Sequence, residues 1–340
     1  MVLPVFILFA LFSILFLVDK REQRVKSILA FLLFVWLALA FIAAFRPNEM
    51  ADRENYLLFW NELGEERFEI GFTLLTELIR CLNNDFYFYF FCCAALSIAL
   101  KITAICRMTS LIWGALLIYV AYIFVLHDMI QMRCAIASGL LLHAVYYIVR
   151  RNFKKFFLIG CIAFLFHYSA ILVFPLWFLN TTRPQKKIYI TLILVAYVFS
   201  ISGVYLTNLL QYIPIEGLLN IFLRSQGTIG DNADIFNAVQ LCRLVICFFL
   251  FFRAEKIYAR NKFSIVLMKI YAISLAVLPL FADLQIVAYR VSQLYQVVEI
   301  VLIPMLLYSF RGMELIKRFC VIVIGLSFLL MTVFVFEHLK

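Results

Sequence analysis

Charged residues are scarce in this sequence. Asp, Glu, Lys and Arg together make up 15% of the 340 residues, whereas 66% are hydrophobic and the mean hydropathy is +1.00. A water-soluble domain carries about 25% charged residues, so this chain lacks the polar surface that would cover a globule in water. These numbers exclude a soluble protein and predict one integral membrane domain over residues 1–340.

Two further absences narrow the class. The short segments of alternating polarity that mark a membrane barrel are missing, which leaves an all-α bundle of membrane helices. Basic tails or stripes are missing as well, although the net charge is +10. The basic residues fall instead in short clusters between apolar runs, which is a topology signal and does not indicate nucleic acid.

Metal and redox motifs are also absent. No Asp-x-Asp pair, Cys-x-x-Cys pair or Cys/His zinc spacing occurs, so we expect neither a metal nor another cofactor. The cysteines lie in or beside apolar runs and are expected to be free; they are Cys81, Cys92, Cys93, Cys106, Cys134, Cys161, Cys242, Cys247 and Cys320. The N-terminal run from Val2 to Val18 has no basic residue before it and no cleavage site after it, so we expect it to be a retained membrane helix.

Long apolar runs dominate the chain. A helix needs about 20 apolar residues to cross the hydrocarbon core, and the sequence offers ten such spans. They are approximately 2–18, 27–45, 85–100, 108–126, 129–149, 188–206, 235–252, 263–282, 286–309 and 319–336. An eleventh apolar stretch, 156–180, is interrupted by His167, Ser169 and Pro175.

The positions of the basic residues indicate whether the interrupted stretch, 156–180, crosses the membrane. They concentrate in six short segments, 19–26, 101–107, 150–155, 183–187, 253–262 and 311–318. The positive-inside rule assigns all six to the cytoplasm. That is possible only if 156–180 enters and returns on the same side, as a re-entrant helical pair with His167 near its tip. Both termini then lie outside.

Two long segments, 46–84 and 207–234, are then external, and we expect short amphipathic helices in them. The first is rich in acids, including Asp52 and Glu69. A competing topology makes 208–223 an additional span, but Gln211, Pro214, Glu216 and Asn220 favour an interfacial segment.

Three arginines fall within predicted spans, where charge is costly and therefore suggests function. Arg133 and Arg290 lie near the outer end of their helices, and Arg243 lies deeper. Polar residues recur every three positions beside them, in the stripes Asp234, Asn237, Gln240, Arg243 and Arg290, Gln293, Gln296. Such stripes predict a shared aqueous cavity that opens outward. Guanidinium groups match phosphate geometry, so this cavity is expected to bind a lipid-linked diphosphate.

Structural alternatives remain for these residues. Arg133 could pair with Asp128, and Arg290 with Asp283, as intramembrane charges often do. His167 could be a hydrogen-bonded core residue, and Asp52 and Glu69 could belong to an ordinary solvated loop.

An ordered set of short motifs resembles one family. It comprises Asp52-x-x-x-Tyr56, Glu69-Ile70-Gly71-Phe72, Gln131-x-Arg133 with Ala135-Ile136-Ala137, His167-Tyr168-Ser169 and a late Arg290. In order and spacing these resemble the EpsG/Wzy-type polymerases of bacterial surface polysaccharides, which include O-antigen polymerases.

The resemblance implies a glycosyltransferase of the bacterial inner membrane whose active site faces the periplasm or exterior. It would move a growing glycan from undecaprenyl diphosphate to the non-reducing end of another lipid-linked repeat unit, without a metal. Asp52, Glu69 and His167 are then the candidate catalytic residues, and Arg133, Arg290 and Arg243 bind the diphosphate. Five further polar residues are expected to contact the sugars: Tyr56, Asp128, Gln131, Asn237 and Gln240.

Other functions stay open. An O-antigen ligase would use the same donor but transfer the glycan to a lipid core. A flippase or other transporter usually has two related halves, and no duplication is visible. A membrane acyltransferase would need a buried histidine but no arginine trio. The expected partners are the lipid-linked oligosaccharide and, in the same pathway, a chain-length regulator and a flippase.

Overall fold

The computed structural model describes residues 2–19, 25–50, 52–61, 68–205, 232–309 and 312–334, and these residues are helical with no strand among them. The α-helices are α1 Val2–Val18, α2 Val25–Ala44, α3 Arg53–Asn61, α4 Ile70–Leu82, α5 Phe86–Met108, α6 Ile112–Ile118, α7 Met132–Val149, α8 Phe153–Phe166, α9 Lys186–Ile201, α10 Ala238–Phe252, α11 Ala254–Tyr258, α12 Ser264–Leu280, α13 Gln285–Gln296, α14 Glu299–Leu302 and α15 Glu314–Phe334. A π-helix, Tyr119–Ile130, continues α6, and 3₁₀-helices cover Tyr168–Phe178 and Ile303–Tyr308.

Each of the ten predicted spans overlaps one or more of these helices. Five helical segments of the described chain are long and apolar enough to cross a membrane alone: Phe86–Met108, Ile112–Ile130, Met132–Val149, Gln285–Tyr308 and Glu314–Val333. Other apolar helices, such as α10 and α12, are shorter. The protein is therefore an all-α, multi-pass membrane protein. The alternative span at 208–223 lies outside the described residues.

The interrupted stretch forms the predicted re-entrant pair. Helix α8 has 14 residues and is about 21 Å long at 1.5 Å per residue. The chain turns at His167 and returns as the 3₁₀-helix. Arg151, which precedes α8, donates hydrogen bonds to the carbonyl oxygens of Trp177 (3.0 Å) and Leu179 (2.8 Å). The hairpin thus begins and ends at one end of the bundle.

The two basic segments that follow the hairpin also lie at one end. Lys186 Nζ is 2.9 Å from Glu255 Oε2, which joins the segment 183–187 to the loop 253–262. This contact alone does not show a hairpin, because the segments 183–187 and 253–262 would also lie together if 156–180 crossed the membrane. A crossing segment would, however, place Arg151 and Leu179 at opposite ends of the bundle, and the two residues are hydrogen-bonded. The assignment of this end to the cytoplasm stays a prediction.

One predicted loop is wrong. Segment 101–107 is not a cytoplasmic connection, because α5 continues to Met108 and Lys101 is fully buried within it. Lys101 Nζ lies 2.8 and 3.0 Å from the two carboxylate oxygens of Asp128, and it also donates to the Ala135 carbonyl at 3.1 Å. The neutralising carboxylate explains how a lysine is tolerated there.

The π-helix shapes the other side of this ion pair. Hydrogen bonds from i to i+5 widen its turns, so Tyr119 and Asp128, nine positions apart, share one face, and the Tyr119 hydroxyl donates to Asp128 Oδ2 at 2.8 Å. At 3.6 residues per turn they would lie on opposite sides. Ser97 completes the shell with a hydrogen bond to Asp128. All twelve residues of the π-helix are buried.

Replacing Lys101 with methionine should destabilise the bundle strongly. The change leaves Asp128 buried without its cation, which typically costs about 3–5 kcal/mol. We expect a clearly lower unfolding temperature in detergent, substantial recovery when Asp128→Leu is added, and no effect of Lys155→Met at an exposed position. A Lys101→Met protein that unfolds at the wild-type temperature would show that the pair contributes no stability.

Candidate functional site

Three polar side chains from distant parts of the chain meet at the end of the bundle opposite Arg151. Arg133 Nη1 lies 2.6 Å from Glu69 Oε2, and His167 Nδ1 lies 3.1 Å from Glu69 Oε1. Glu69 precedes α4, Arg133 is in the first turn of α7, and His167 is the tip of the hairpin. We name these three residues the Glu69 cluster. The alternative pairing of Arg133 with Asp128 is wrong.

Local structure explains how Glu69 reaches the hairpin. It is the N-cap of α4, so the helix dipole favours its negative charge. The next turn carries Gly71, where a Cβ atom would lie 2.8 Å from the Leu165 carbonyl oxygen. Glycine therefore lets α4 approach the end of α8 closely. The Tyr168 amide then donates to Glu69 Oε1 at 3.3 Å.

Glu69 is only 2% exposed, yet its neighbours favour the ionised form of its carboxyl group. Burial by itself would raise its pKa, but the hydrogen bond with His167 and the charge and hydrogen bond of Arg133 outweigh burial and lower the pKa to about 2. A carboxylate with so low a pKa is a weak base at neutral pH. Its geometry suits it to hold Arg133 and His167 in position.

His167 has one nitrogen left for chemistry. Its Nδ1 faces Glu69, while its buried Nε2 has no hydrogen-bond partner within the described chain. When Nδ1–H donates to the carboxylate, Nε2 carries the lone pair that can accept a proton. The pair has the arrangement of a carboxylate that orients a histidine base.

Replacing Gly71 with alanine should impair the cluster without touching its members. The added methyl would collide with Leu165 backbone and side-chain atoms at 2.8–3.0 Å, and overpacking of this kind typically costs about 1–3 kcal/mol. We expect α4 to shift away from α8 and the protein's activity to fall, whereas Glu77→Ala, on the exposed face of the same helix, keeps activity. Equal activity of Gly71→Ala and wild type would mean that the close approach is dispensable.

Other predicted site residues surround the cluster. Tyr56, 2% exposed on α3, packs on the rings of Phe68 and Phe72 and interacts electrostatically with Arg133. Arg133 also lies over the Phe68 ring, 4.0 Å from its centroid. Asp52, half-buried, immediately precedes α3 and has a left-handed conformation with φ of 62°, a strained geometry that asparagine and aspartate tolerate best.

Arg290 is half-buried on α13 and close enough to His167 to interact with it electrostatically. No ion pair formed within the described residues involves Arg290, so the alternative pairing with Asp283 does not occur. Among the three predicted arginines it is the one whose charge no described carboxylate neutralises.

A cavity of about 220 Å³, lined by apolar surface and several amide side chains, lies beside the cluster. We name it the amide cavity, after the side chains that dominate its polar lining. Its lining residues are Tyr122, Asp234, Asn237, Ala238, Val239, Gln240, Arg243, Leu278, Tyr289, Ser292, Gln293, Gln296 and Met331. Both predicted polar stripes thus meet in one cavity, except that Arg290 lies outside its lining. Gln131, two residues before Arg133, donates to Gln293 Oε1 at 3.2 Å and joins the cavity to the cluster.

Three residues that were predicted to bind the substrate instead contact other residues of the protein. Arg243 is paired with buried Glu299, with Nε–Oε1 at 2.7 Å and Nη2–Oε2 at 3.2 Å. Asp128 is fully buried with Lys101, away from any ligand. Asn237 is the N-cap of α10: its Oδ1 accepts from the Gln240 amide at 2.9 Å, and its Nδ2 donates to the Asp234 carbonyl at 2.6 Å. The expected excess of positive charge is therefore smaller than the sequence suggested.

The sequence interpretation missed two residues. Glu299 continues the three-residue spacing of Arg290, Gln293 and Gln296, so its presence on the stripe was readable. Arg46 was counted in the external segment but is 3% exposed, with its guanidinium 3.9 Å from the Phe90 ring centroid and bonded to the Met129 carbonyl. Within the described residues no cluster of three or more His, Cys, Asp or Glu side chains could hold a metal ion.

Comparison with known proteins identifies the family. The sequence model of the EpsG family matches residues 29–339. The chain belongs to the EpsG family. A similar protein is the amylovoran biosynthesis protein AmsC of Erwinia amylovora, 22% identical over 336 residues that cover 91% of this chain and 87% of the relative. No solved structure matches this EpsG-family chain.

Proposed function

We propose that this EpsG-family protein is a polysaccharide polymerase of the bacterial inner membrane. It transfers a growing glycan from undecaprenyl diphosphate to the non-reducing end of another lipid-linked repeat unit, and its site faces the periplasm or exterior. The observation that carries the proposal is the Glu69 cluster, in which a carboxylate holds a guanidinium and an imidazole with a free Nε2. The name of the AmsC relative, which refers to biosynthesis of a polysaccharide, agrees with it.

The cluster can divide the work of glycosyl transfer. The acceptor hydroxyl oxygen forms a bond to the anomeric carbon of the donor while the bond from that carbon to the diphosphate oxygen breaks. His167 Nε2 takes the hydroxyl proton as general base. The diphosphate leaves with the bonding electrons, and Arg133 and Arg290 stabilise its developing charge.

Glu69 acts in this scheme as a positioning residue. It fixes the tautomer of His167 and the direction of Arg133, and a carboxylate with a pKa of about 2 is ionised at neutral pH. Asp52 is proposed to bind sugar hydroxyl groups, because it lies at the margin of the cluster, next to Tyr56. Tyr56 and Gln131 contribute to the walls of the same region.

The function is tested with purified protein in detergent or nanodiscs and lipid-linked repeat units as the only substrate. A polymerase converts them into a ladder of products that differ by one repeat, since donor and acceptor are the same molecule. A ligase leaves them unchanged until a lipid core is added. Protein that is folded but yields no ladder from authentic repeat units would refute the proposed function.

A further inference from the structure

The amide cavity contains a cation whose charge is cancelled. Arg243 is 5% exposed and Glu299 is fully buried, and two parallel hydrogen bonds join them. The guanidinium carbon of Arg243 also lies 4.8 Å from the ring centroid of Tyr122 and 5.2 Å from that of Phe328. One edge of the guanidinium is thus occupied by a carboxylate and its plane packs against aromatic rings. Such a group cannot serve a bound anion without giving up Glu299.

The rest of the lining is neutral or acidic. Gln240, Gln293 and Gln296 supply amide groups, and Tyr289 supplies an aromatic ring. The remaining charge is Asp234, an exposed carboxylate that forms no ion pair within the described part of the chain. Arg290 lies one turn before Gln293 but is not among the lining residues. With Arg243 and Glu299 compensating each other, the cavity carries a net negative charge.

One buried acceptor in this lining lacks a partner. Gln296 is 2% exposed, and its Oε1 atom has no hydrogen-bond donor among the described residues. A buried polar atom without a partner is unusual in a native protein and calls for a donor. A sugar hydroxyl is such a donor, and amide side chains beside aromatic rings suit a ligand with many hydroxyl groups and apolar C–H faces.

We propose that the amide cavity is a subsite for an uncharged sugar residue of the glycan and that it discriminates against acidic sugars. A uronate carboxylate in this cavity would find Arg243 already occupied and Asp234 of like charge, and an unpaired buried charge is strongly disfavoured. The hydrogen bond between Gln131 and Gln293 puts the subsite next to Arg133, so the selected sugar is one close to the reacting diphosphate. This proposal rests on the proposed function.

The test uses free monosaccharides with the full-length purified protein. Glucose and galactose are the neutral probes, glucuronate and galacturonate are the acidic probes, and binding is measured by saturation-transfer NMR at neutral pH and millimolar sugar. We expect wild type to bind a neutral sugar at least about tenfold more tightly than its uronate, equivalent to about 1.4 kcal/mol. We expect Gln296→Leu to lose most of the neutral-sugar signal. Equal binding of both classes, absence of neutral-sugar binding, or an unchanged signal in Gln296→Leu would overturn the proposal.

Charge variants test the reason for the preference. Asp234→Asn removes an exposed charge without disturbing the core and should raise uronate binding. Glu299→Gln frees the charge of Arg243 and should raise it further, while Arg243→Gln/Glu299→Gln removes both charges and should keep the neutral preference. If Glu299→Gln fails to fold, the Asp234→Asn variant and the double variant still test whether charge causes the preference. An unaltered preference in Asp234→Asn and a lost preference in the double variant would contradict the mechanism.

The two proposals fail separately. A protein that prefers neutral sugars through Gln296 but makes no ladder from lipid-linked repeats retains the subsite and loses the polymerase assignment. A protein that makes the ladder but binds glucose and glucuronate alike retains the polymerase assignment and loses the subsite.

Discussion

Replacing Arg133 with alanine is expected to reduce chain extension by at least about 10²–10³-fold, the usual cost of removing one preorganised donor to a developing anion. Product ladders from lipid-linked repeat units measure the effect. Arg133→Lys should recover only part of the activity, because an ammonium cannot hold Glu69 and a phosphate oxygen with the geometry of a fork. Arg150→Ala, an exposed arginine at the other end of the same helix, is the matched control and should extend chains normally.

Arg133→Ala should also destabilise the protein, and this effect must be distinguished from the loss of diphosphate binding. Without Arg133, Glu69 remains buried with only His167 and the Tyr168 amide beside it, and breaking a buried pair costs about 3–5 kcal/mol. The double variant Arg133→Ala/Glu69→Gln removes the buried charge as well. It should restore stability but not chain extension. Recovery of wild-type polymer lengths in the double variant would mean that Arg133 only serves to neutralise Glu69.

Replacing His167 with glutamine is the second change with a large expected effect. Glutamine can still hydrogen-bond Glu69 but cannot accept a proton, and loss of a general base typically lowers kcat by about 10²–10⁴-fold. Because the substitution leaves the arginines in position, KM should change little. Initial rates of ladder formation at varied substrate concentration give both constants.

A merely structural histidine would give a different pattern. His143 on α7 is the matched control, because its Nε2 faces α5 and lies 3.0 Å from the Leu100 carbonyl oxygen and 3.2 Å from Thr103 Oγ1. His143→Gln should leave kcat within a few-fold of wild type. Equal kcat values for His167→Gln and His143→Gln would remove His167 from the proposed chemistry.

The architecture was largely predictable from the sequence because lipid imposes simple demands. Ten apolar stretches had to be helices, and the positions of basic residues required 156–180 to return to its starting side, as Arg151 and its two carbonyl partners confirm. The error at Lys101 has a physical reason. A lone lysine looks like a loop residue until a carboxylate 27 positions away neutralises it, and spacing along the chain does not reveal such a partner.

The candidate site was predictable in membership but not in pairing. Ordered motifs picked out Tyr56, Glu69, Arg133 and His167, and the structure brings these four together. The sequence does not predict which acidic residue pairs with which arginine, because Glu69 and Arg133 are 64 positions apart and belong to different elements. For Arg243 the signal existed, because the three-residue spacing on α13 leads directly to Glu299.

Direct binding of undecaprenyl diphosphate tests the central claim most simply. Native mass spectrometry of the purified protein with this lipid, free of any sugar, measures the affinity of the Glu69 cluster and Arg290 for the diphosphate head group. Loss of a hydrogen bond to a charged group typically weakens binding by roughly ten- to a hundredfold, so we predict increases in Kd of that size for Arg133→Ala and for Arg290→Ala, and none for Arg150→Ala. Affinities of both variants equal to wild type would contradict the account.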